Sequence, residues 1–406
     1  MTTGPLHGLR VFDLTRILAG PSCTQMLGDM GADVIKIERP GSGDDTRRFA
    51  PPFIQNDRGE DTDESAYFCS TNRNKRSLTL DLTQQKGQHL ARALIAKCDI
   101  LTENFKTGGL AKYGLGYTDL QADFPGLVYC SITGFGHTGP YAPRPGYDVL
   151  IQGMGGFMSV TGEPEGDPQK AGIPISDLMA GMYAAVAINA ALRHREVTGE
   201  GQFIDIGMLD TTAAMLSIMG ANYLSTGKNP PRLGNAHPNI VPYQSFATAD
   251  GDIILAVGND GQFERFCKFA NTEHFLDDPR FATNGARVRH RDELIPILRQ
   301  LILAKPSKHW LEGLEAVNVS CGPINTLEQV FDDPQIKARD MRLQMNHPVA
   351  GDRPIDLIGS PLRMSATPPT YRRSPPTLGQ HTDEILRELL GTSDADLDSL
   401  RAEGII

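Results

Sequence analysis

"LRVFDLTRILAGPSCTQMLGDMGADVIKIE", residues 9–38, reads as a strand, a tight turn, a helix and a second strand. The apolar run 9–15 is strand-like, Pro21 falls in the first turn of the helical segment 21–31, and 32–38 alternates apolar and polar side chains. The pattern then repeats. "SLTLDL" (77–82), "DILTENF" (99–105) and "LVYCSITGFG" (127–136) read as further strands, with "QQKGQHLARALIAKC" (84–98) as a crossover helix between the first two. Strands joined through helices run parallel, so the expected class is α/β with a largely parallel sheet covered by helices. Such sheets take ligands at the carboxyl ends of their strands. That directs attention to residues 15–19, 38–40, 103–106 and 133–136.

At 406 residues the chain exceeds one ordinary core, and two domains are expected. A helix around 211–227 leads into "STGKNPPRLGNAHPN" (225–239), a loop by composition. "YQSFATADGDIILAV" (243–257) is a hairpin turning at Asp250 and Gly251, followed by helical segments from Gln262 to about Met341. A proline-rich stretch from residue 357 then passes into a terminal helix capped near His381 and Thr382. The expected division is a large domain over 1–210 with a C-terminal return over 345–406, a linker over 211–235, and a small domain over 236–335.

A formal charge of −10 argues against a nucleic-acid partner, which would need a basic face. The six cysteines show no CxxC pair and no metal-ligand spacing to histidine, so they read as reduced thiols and no metal site is expected. No apolar run attains membrane-spanning length, and residues 1–10 resemble neither a signal peptide nor a presequence. The expectation is a cytoplasmic protein without a membrane partner. Chemistry is constrained by what is missing: the turn after the first strand has one glycine where a dinucleotide fingerprint has three, and there is no GxSxG, HExxH or P-loop. One carboxylate stands out. Asp177 opens the apolar helix of "PISDLMAGMYAAVAINAALRHR" (174–195), with no other formal charge up to Leu192. Asp in that place is either a helix cap or a nucleophile held at a helix mouth, and the stretch alone leaves both open.

Eight ordered blocks carry a resemblance: the opening stretch continued to "RPGSGDDTR", then "NRNKRSLTLDL", "ENFKTGGLAKYGLGY", "CSITGFGHTGPYAPRPGYDVLIQ", "ISDLMAGMYAA", "TGEGQFIDIGMLD", "CGPINTLEQVFDDPQ" and "LGQHTDEIL". Together they resemble the class III CoA-transferases. The resemblance implies a Rossmann-like large domain built from both chain ends, a smaller α+β domain, and an interlocked homodimer. It also implies that Asp177 is the nucleophile, forming an anhydride with the acyl group and then a thioester with CoA. The helix N-terminus would keep Asp177 ionised at neutral pH. CoA thioesters are substrates and no tightly bound cofactor is implied. The CoA-binding positions carried over are Leu18, Ala19, Arg39, Leu80, Asp81, Leu82, Thr83, Asn104, Phe105, Lys106 and Lys112. The loop Gly258, Asn259, Asp260, Gly261 matches the segment that folds over the intermediates.

Related acyl-CoA racemases carry a histidine in a "GHD" block where this chain has Gly146, Tyr147 and Asp148, and tyrosine is a poor base near neutrality. The racemase reading and a non-catalytic acyl-CoA-binding reading are the alternatives. The blocks "DLTRILAGP" (13–21) and "NAHPNIVPYQSF" (235–246) most resemble the branch that moves CoA from succinyl-CoA to a dicarboxylate such as glutarate, itaconate or malate. Arg16 and His237 are the candidates to meet the far carboxylate.

Overall fold

The computed structural model describes residues 4–406, which divide by their internal contacts into two units. The larger comprises residues up to Phe157, Lys170–Ala221 and Gln335–Ile406; the smaller comprises Met158–Gln169 and Asn222–Pro334.

The larger unit is built on six parallel strands: β1 (Arg10–Asp13), β2 (Asp33–Glu38), β3 (Lys75–Thr79), β4 (Ile100–Glu103), β5 (Val128–Thr133) and β6 (Phe203–Gly207). Their spatial order is β3-β2-β1-β4-β5-β6, the doubly wound order whose direction reverses between β1 and β4. The alternation seen in the sequence sorts side chains onto two faces. Val11, Val34, Ile100, Val128, Cys130 and Ile132 pack on one side with helices α1 (Ala19–Asp29) and α4 (Ile175–Thr198). Phe12, Ile35, Ile37, Leu101 and Tyr129 pack on the other with α2 (Gln85–Ile95) and the terminal helices Thr382–Leu390 and Asp394–Ala402. The chain end thus closes the core begun by its first strands: Ile385, Leu386 and Leu397 are buried, and Arg76 of β3 pairs with Glu384 at 3.1 Å.

Helix α4 corrects one expectation. Its 24 residues are long and apolar enough to cross a membrane, so one run does attain membrane-spanning length. Packing accounts for its composition: Ala180, Ala184, Ile188 and Ala191 are buried against the sheet and α1. At the crossing a Cβ on Gly181 would lie 2.6 Å from the Ala19 carbonyl oxygen, so only glycine lets the two helices approach this closely.

In the smaller unit the hairpin β7 (Tyr243–Ala247) and β8 (Asp252–Ala256) turns through Asp250 and Gly251, as the sequence implied. Its core gathers Phe246, Ile253, Leu255, Phe263, Phe266, Leu298 and Trp310. The helical segments expected from Gln262 to about Met341 are interrupted by a strand, β9 (Ser320–Pro323), which pairs antiparallel with β8. A four-residue edge strand containing Gly and Pro carries no strand signal of its own; pairing creates it. The helix expected around 211–227 is two, Met208–Met215 and Ser217–Thr226, so the segment 211–235 is helical in its first half.

Candidate active site

Two adjoining cavities, of about 430 and 240 Å³, open at the carboxyl ends of the parallel strands in the larger unit and share Arg16, Asp45 and Phe105. Every loop leaving β1 to β5 contributes. The larger cavity is walled by Leu18, Ala19, Lys106, Gly134, Arg144, Tyr147, Asp148 and Asp177 among others, the smaller by Arg39, Leu80, Asp81, Leu82 and Thr83. This is the place that strand order alone assigns to a ligand.

Its floor is a buried charge network. Lys36 Nζ, fully buried, donates to Asp44 Oδ2 at 2.8 Å and to the Thr15 carbonyl at 2.9 Å. Burial alone would push the Asp44 carboxyl up, but Lys36 and the Thr46 donors hold it at about 2. Asp44 Oδ1 in turn accepts from the Ile17 N–H at 3.2 Å. Ile17 has φ +70°, a left-handed conformation that a β-branched residue adopts at a cost of about 1–3 kcal/mol. The network therefore fixes the turn that leads into α1. Beside it, Lys75 is pushed down to about 8 by burial, against the pull of Asp13 at 3.3 Å.

Asp177 lies in the first turn of α4, yet it caps nothing. Among the described residues its carboxylate accepts no hydrogen bond, and the residue preceding the helix, Pro174, offers no side-chain cap. Asp148 caps the helix instead: its Oδ1 accepts from the N–H groups of Ser176 (2.9 Å) and Asp177 (3.4 Å), while its Oδ2 accepts from Gln152 Nε2 at 2.7 Å. Gln152 Oε1 accepts from the Ala171 N–H, and Ser176 Oγ accepts from Thr212, so the assembly is anchored on three sides. The helix dipole that was expected to keep Asp177 ionised is thus occupied by another carboxylate. Burial, reinforced by the Asp148 charge, pushes the Asp177 carboxyl up to about 7. The expectation of a fully ionised group at neutral pH is overturned, because desolvation and a like charge outweigh the dipole.

The carried-over positions fall as follows. Leu18 and Ala19 line the larger cavity and Leu80 the smaller, and all three are buried. Asp81 is engaged locally, accepting from the Thr83 N–H and hydroxyl. Leu82 packs against the core on the α2 side. Asn104 clasps Arg16 twice, accepting from its N–H at 2.9 Å and donating to its carbonyl at 2.7 Å. Arg39, Lys106 and Lys112 are exposed cations on the cavity walls, Lys112 lying over the Tyr113 ring. Arg16 packs over Phe105 and donates to Asp45 Oδ2 at 3.1 Å, so its charge is already paired. His237 belongs to the smaller unit, where its Nδ1 accepts from the Asn239 N–H and its ring lies against Tyr243. The segment Gly258, Asn259, Asp260, Gly261 joins β8 to the helix Asp260–Ala270; Asn259 caps that helix and Asp260 pairs with Arg287. Neither glycine there has a positive φ.

Three residues went unassigned in the sequence. Asp148 was visible only as part of "RPGYD". Tyr67 stands close enough to Asp177 and Asp148 that their charges, after burial, raise its hydroxyl. Glu103, at the end of β4, accepts from the Phe105 N–H at 2.7 Å and is pushed up to about 7 by burial. No local pattern marks a carboxylate whose neighbours arrive from other strands.

The sequence profile of "CoA-transferase family III" matches residues 6–382. A succinate–glutarate CoA-transferase of Agrobacterium fabrum is 49% identical over 385 residues, covering 95% of this chain and 96% of that protein. The succinyl-CoA:glutarate CoA-transferase of Homo sapiens is 42% identical over 402 residues, covering 99% and 90%. The crystal structure of a CAIB/BAIF family protein from Brucella suis superimposes with a TM-score of 0.84 at 46% identity, over 96% of this chain and all of that one. With its parallel sheet, its cavity and these relatives, the chain belongs to CoA-transferase family III and is a CoA-transferase.

Proposed function

We propose that the enzyme moves CoA from succinyl-CoA to a free dicarboxylate, with Asp177 as nucleophile. The observation that carries this reading is the Asp177 carboxylate on the cavity wall, held at a helix mouth but spared from capping by Asp148. Ionised Asp177 attacks the thioester carbonyl carbon and CoA thiolate leaves, giving an aspartyl–acyl anhydride. The thiolate attacks the aspartyl carbonyl, releasing the donor acid and leaving an aspartyl-CoA thioester. The acceptor carboxylate then attacks that carbonyl and expels the thiolate, which attacks the acceptor's acyl carbon to give the new CoA ester and free Asp177. No net proton or electron is exchanged, so one carboxylate suffices. The glutarate-using relatives support a dicarboxylate acceptor, with glutarate, itaconate and malate as the first acids to test.

In this reading Arg39, Lys106 and Lys112 meet the CoA phosphates, while the backbone at Leu18, Ala19 and Leu80 to Thr83 and the Phe105 ring grip its apolar parts. A Cβ on Gly261 would meet Asn259 Oδ1 at 3.4 Å and Arg265 Nη1 at 3.8 Å, both ordinary contacts, so the local fold does not itself demand glycine there.

The working form is an interlocked homodimer. Met182, Tyr183 and Val186 of α4 are 52, 42 and 69% exposed, beside the exposed Val149 and Leu150 of the adjoining helix α3 (Asp148–Met154). Apolar faces of this kind on a soluble enzyme are covered by a partner. A monomer mass by light scattering at micromolar concentration would refute the dimer.

Asp177→Asn keeps shape and removes the nucleophile; transfer should fall by at least about three orders of magnitude. Native enzyme incubated with succinyl-CoA should yield an Asp177 hydroxamate on hydroxylamine treatment. Near-native turnover by Asp177→Asn or Asp177→Ala would overturn the mechanism.

A further inference from the structure

Four cations wall the larger cavity: Arg16, Lys106, Lys112 and Arg144. They are not equivalent. Arg16 is tied to Asp45, and Lys106 and Lys112 sit on the loop after β4 that also carries Phe105, the residue shared with the Arg39 cavity. Arg144 starts the strip whose other end, Asp148, holds the N–H groups of Ser176 and Asp177. Among the described residues no carboxylate lies within ion-pair distance of its guanidinium, which packs over the rings of Tyr141 (4.6 Å) and Phe135 (5.2 Å). Those rings meet edge to face at 5.6 Å.

The strip has little freedom to move. A Cβ on Gly146 would come within 2.4 Å of the Gly134 Cα, so the strip lies backbone to backbone against the end of β5, and the Arg144 N–H donates to the Tyr141 carbonyl at 2.8 Å. Stacking on aromatic faces fixes a guanidinium plane without consuming its N–H donors. What remains is a planar fork without a counter-charge, on the same cavity wall as the nucleophile but beyond ion-pair distance from it. A diacid that offers one carboxylate to Asp177 needs a cation in such a place for the other.

We propose that Arg144 is the specificity-determining residue that pairs with the distal carboxylate of the acceptor, and of the succinyl group of the donor, in place of Arg16 or His237. The assignment rests on the dicarboxylate reading above. In a ping-pong reaction kcat/KM for the acceptor reports only the half-reaction in which it enters, so donor effects separate. The experiment compares glutarate with its monoamide as acceptors from succinyl-CoA, for native enzyme, Arg144→Gln, Arg144→Lys and Arg16→Ala. In Arg144→Gln the ratio of kcat/KM for glutarate over the monoamide should fall about 100-fold, through KM more than kcat, with Arg144→Lys retaining part of it. Thermal unfolding of each variant checks that the fold is kept. A native preference for the diacid that Arg144→Gln leaves intact, or that Arg16→Ala abolishes instead, would overturn the assignment alone. A native enzyme with no preference for the diacid would overturn the dicarboxylate reading and the assignment with it.

Discussion

Replacing Asp148 by Asn should move the pH dependence of the enzyme downward. In the native protein burial and the charge of Asp148, which sits on the Ser176 and Asp177 N–H groups, push the Asp177 carboxyl up to about 7. In the proposed mechanism only ionised Asp177 attacks, so kcat/KM for succinyl-CoA, which reports the free enzyme, should fall with unit slope as pH drops below about 7. Asn at 148 keeps an oxygen for the Ser176 N–H but removes the like charge. Burial, the larger cause, remains, so the limb should shift only part of the way toward the usual carboxylate range, by about one pH unit, or ~1.4 kcal/mol. Stopped-flow or discontinuous assays from pH 5 to 9 read the limb directly. An unchanged limb, or one displaced to higher pH, would refute the claim that Asp148 holds up the Asp177 carboxyl. Loss of rate at every pH without a shift would show Asp148 acting through the helix cap alone.

The raised Asp177 carboxyl also bears on stability. Folded, it binds its proton up to about 7, whereas the unfolded group releases it near 3.8. That contribution to stability is complete below 3.8 and is lost as pH rises to 7, so Asp177→Asn should be more stable than native by about 2–4 kcal/mol at pH 8, with the gap closing by pH 4. Urea unfolding at the two pH values tests it; a pH-independent gap would contradict it. Gly181→Ala would drive a methyl to within 2.6 Å of a backbone oxygen of α1, and should cost about 1–3 kcal/mol while displacing Ala19 at the cavity wall. Both a lower melting temperature and a higher KM for CoA esters are expected. Asp44→Asn removes the counter-charge that buried Lys36 meets at 2.8 Å and should destabilise by about 3–5 kcal/mol in urea. Arg39→Gln should raise KM for CoA esters several-fold, an effect that shrinks as salt rises.

Much of this protein is written locally. Strand periodicity and crossover helices specified a parallel sheet covered on both faces, because alternation along a strand decides which side chains each helix layer receives. The strand ends then located the cavity: residues 15–19, 38–40, 103–106 and 133–136, singled out by chain order, all supply residues to the two cavity walls. The place of Asp177 at a helix mouth was equally legible. Its state was not. The sequence offers a dipole and a carboxylate; only folding brings Asp148, twenty-nine residues earlier in the chain, onto the N–H groups of the helix mouth and buries Asp177, and both effects raise its carboxyl. The cations followed the same rule. Arg16 and Arg144 carry identical charges on loops after β1 and β5, but Asp45 meets the first and two aromatic rings meet the second. Residue type and chain order set where charged groups can stand. Desolvation and partners, which depend on segments remote in sequence, set whether they are ionised, paired or free to bind.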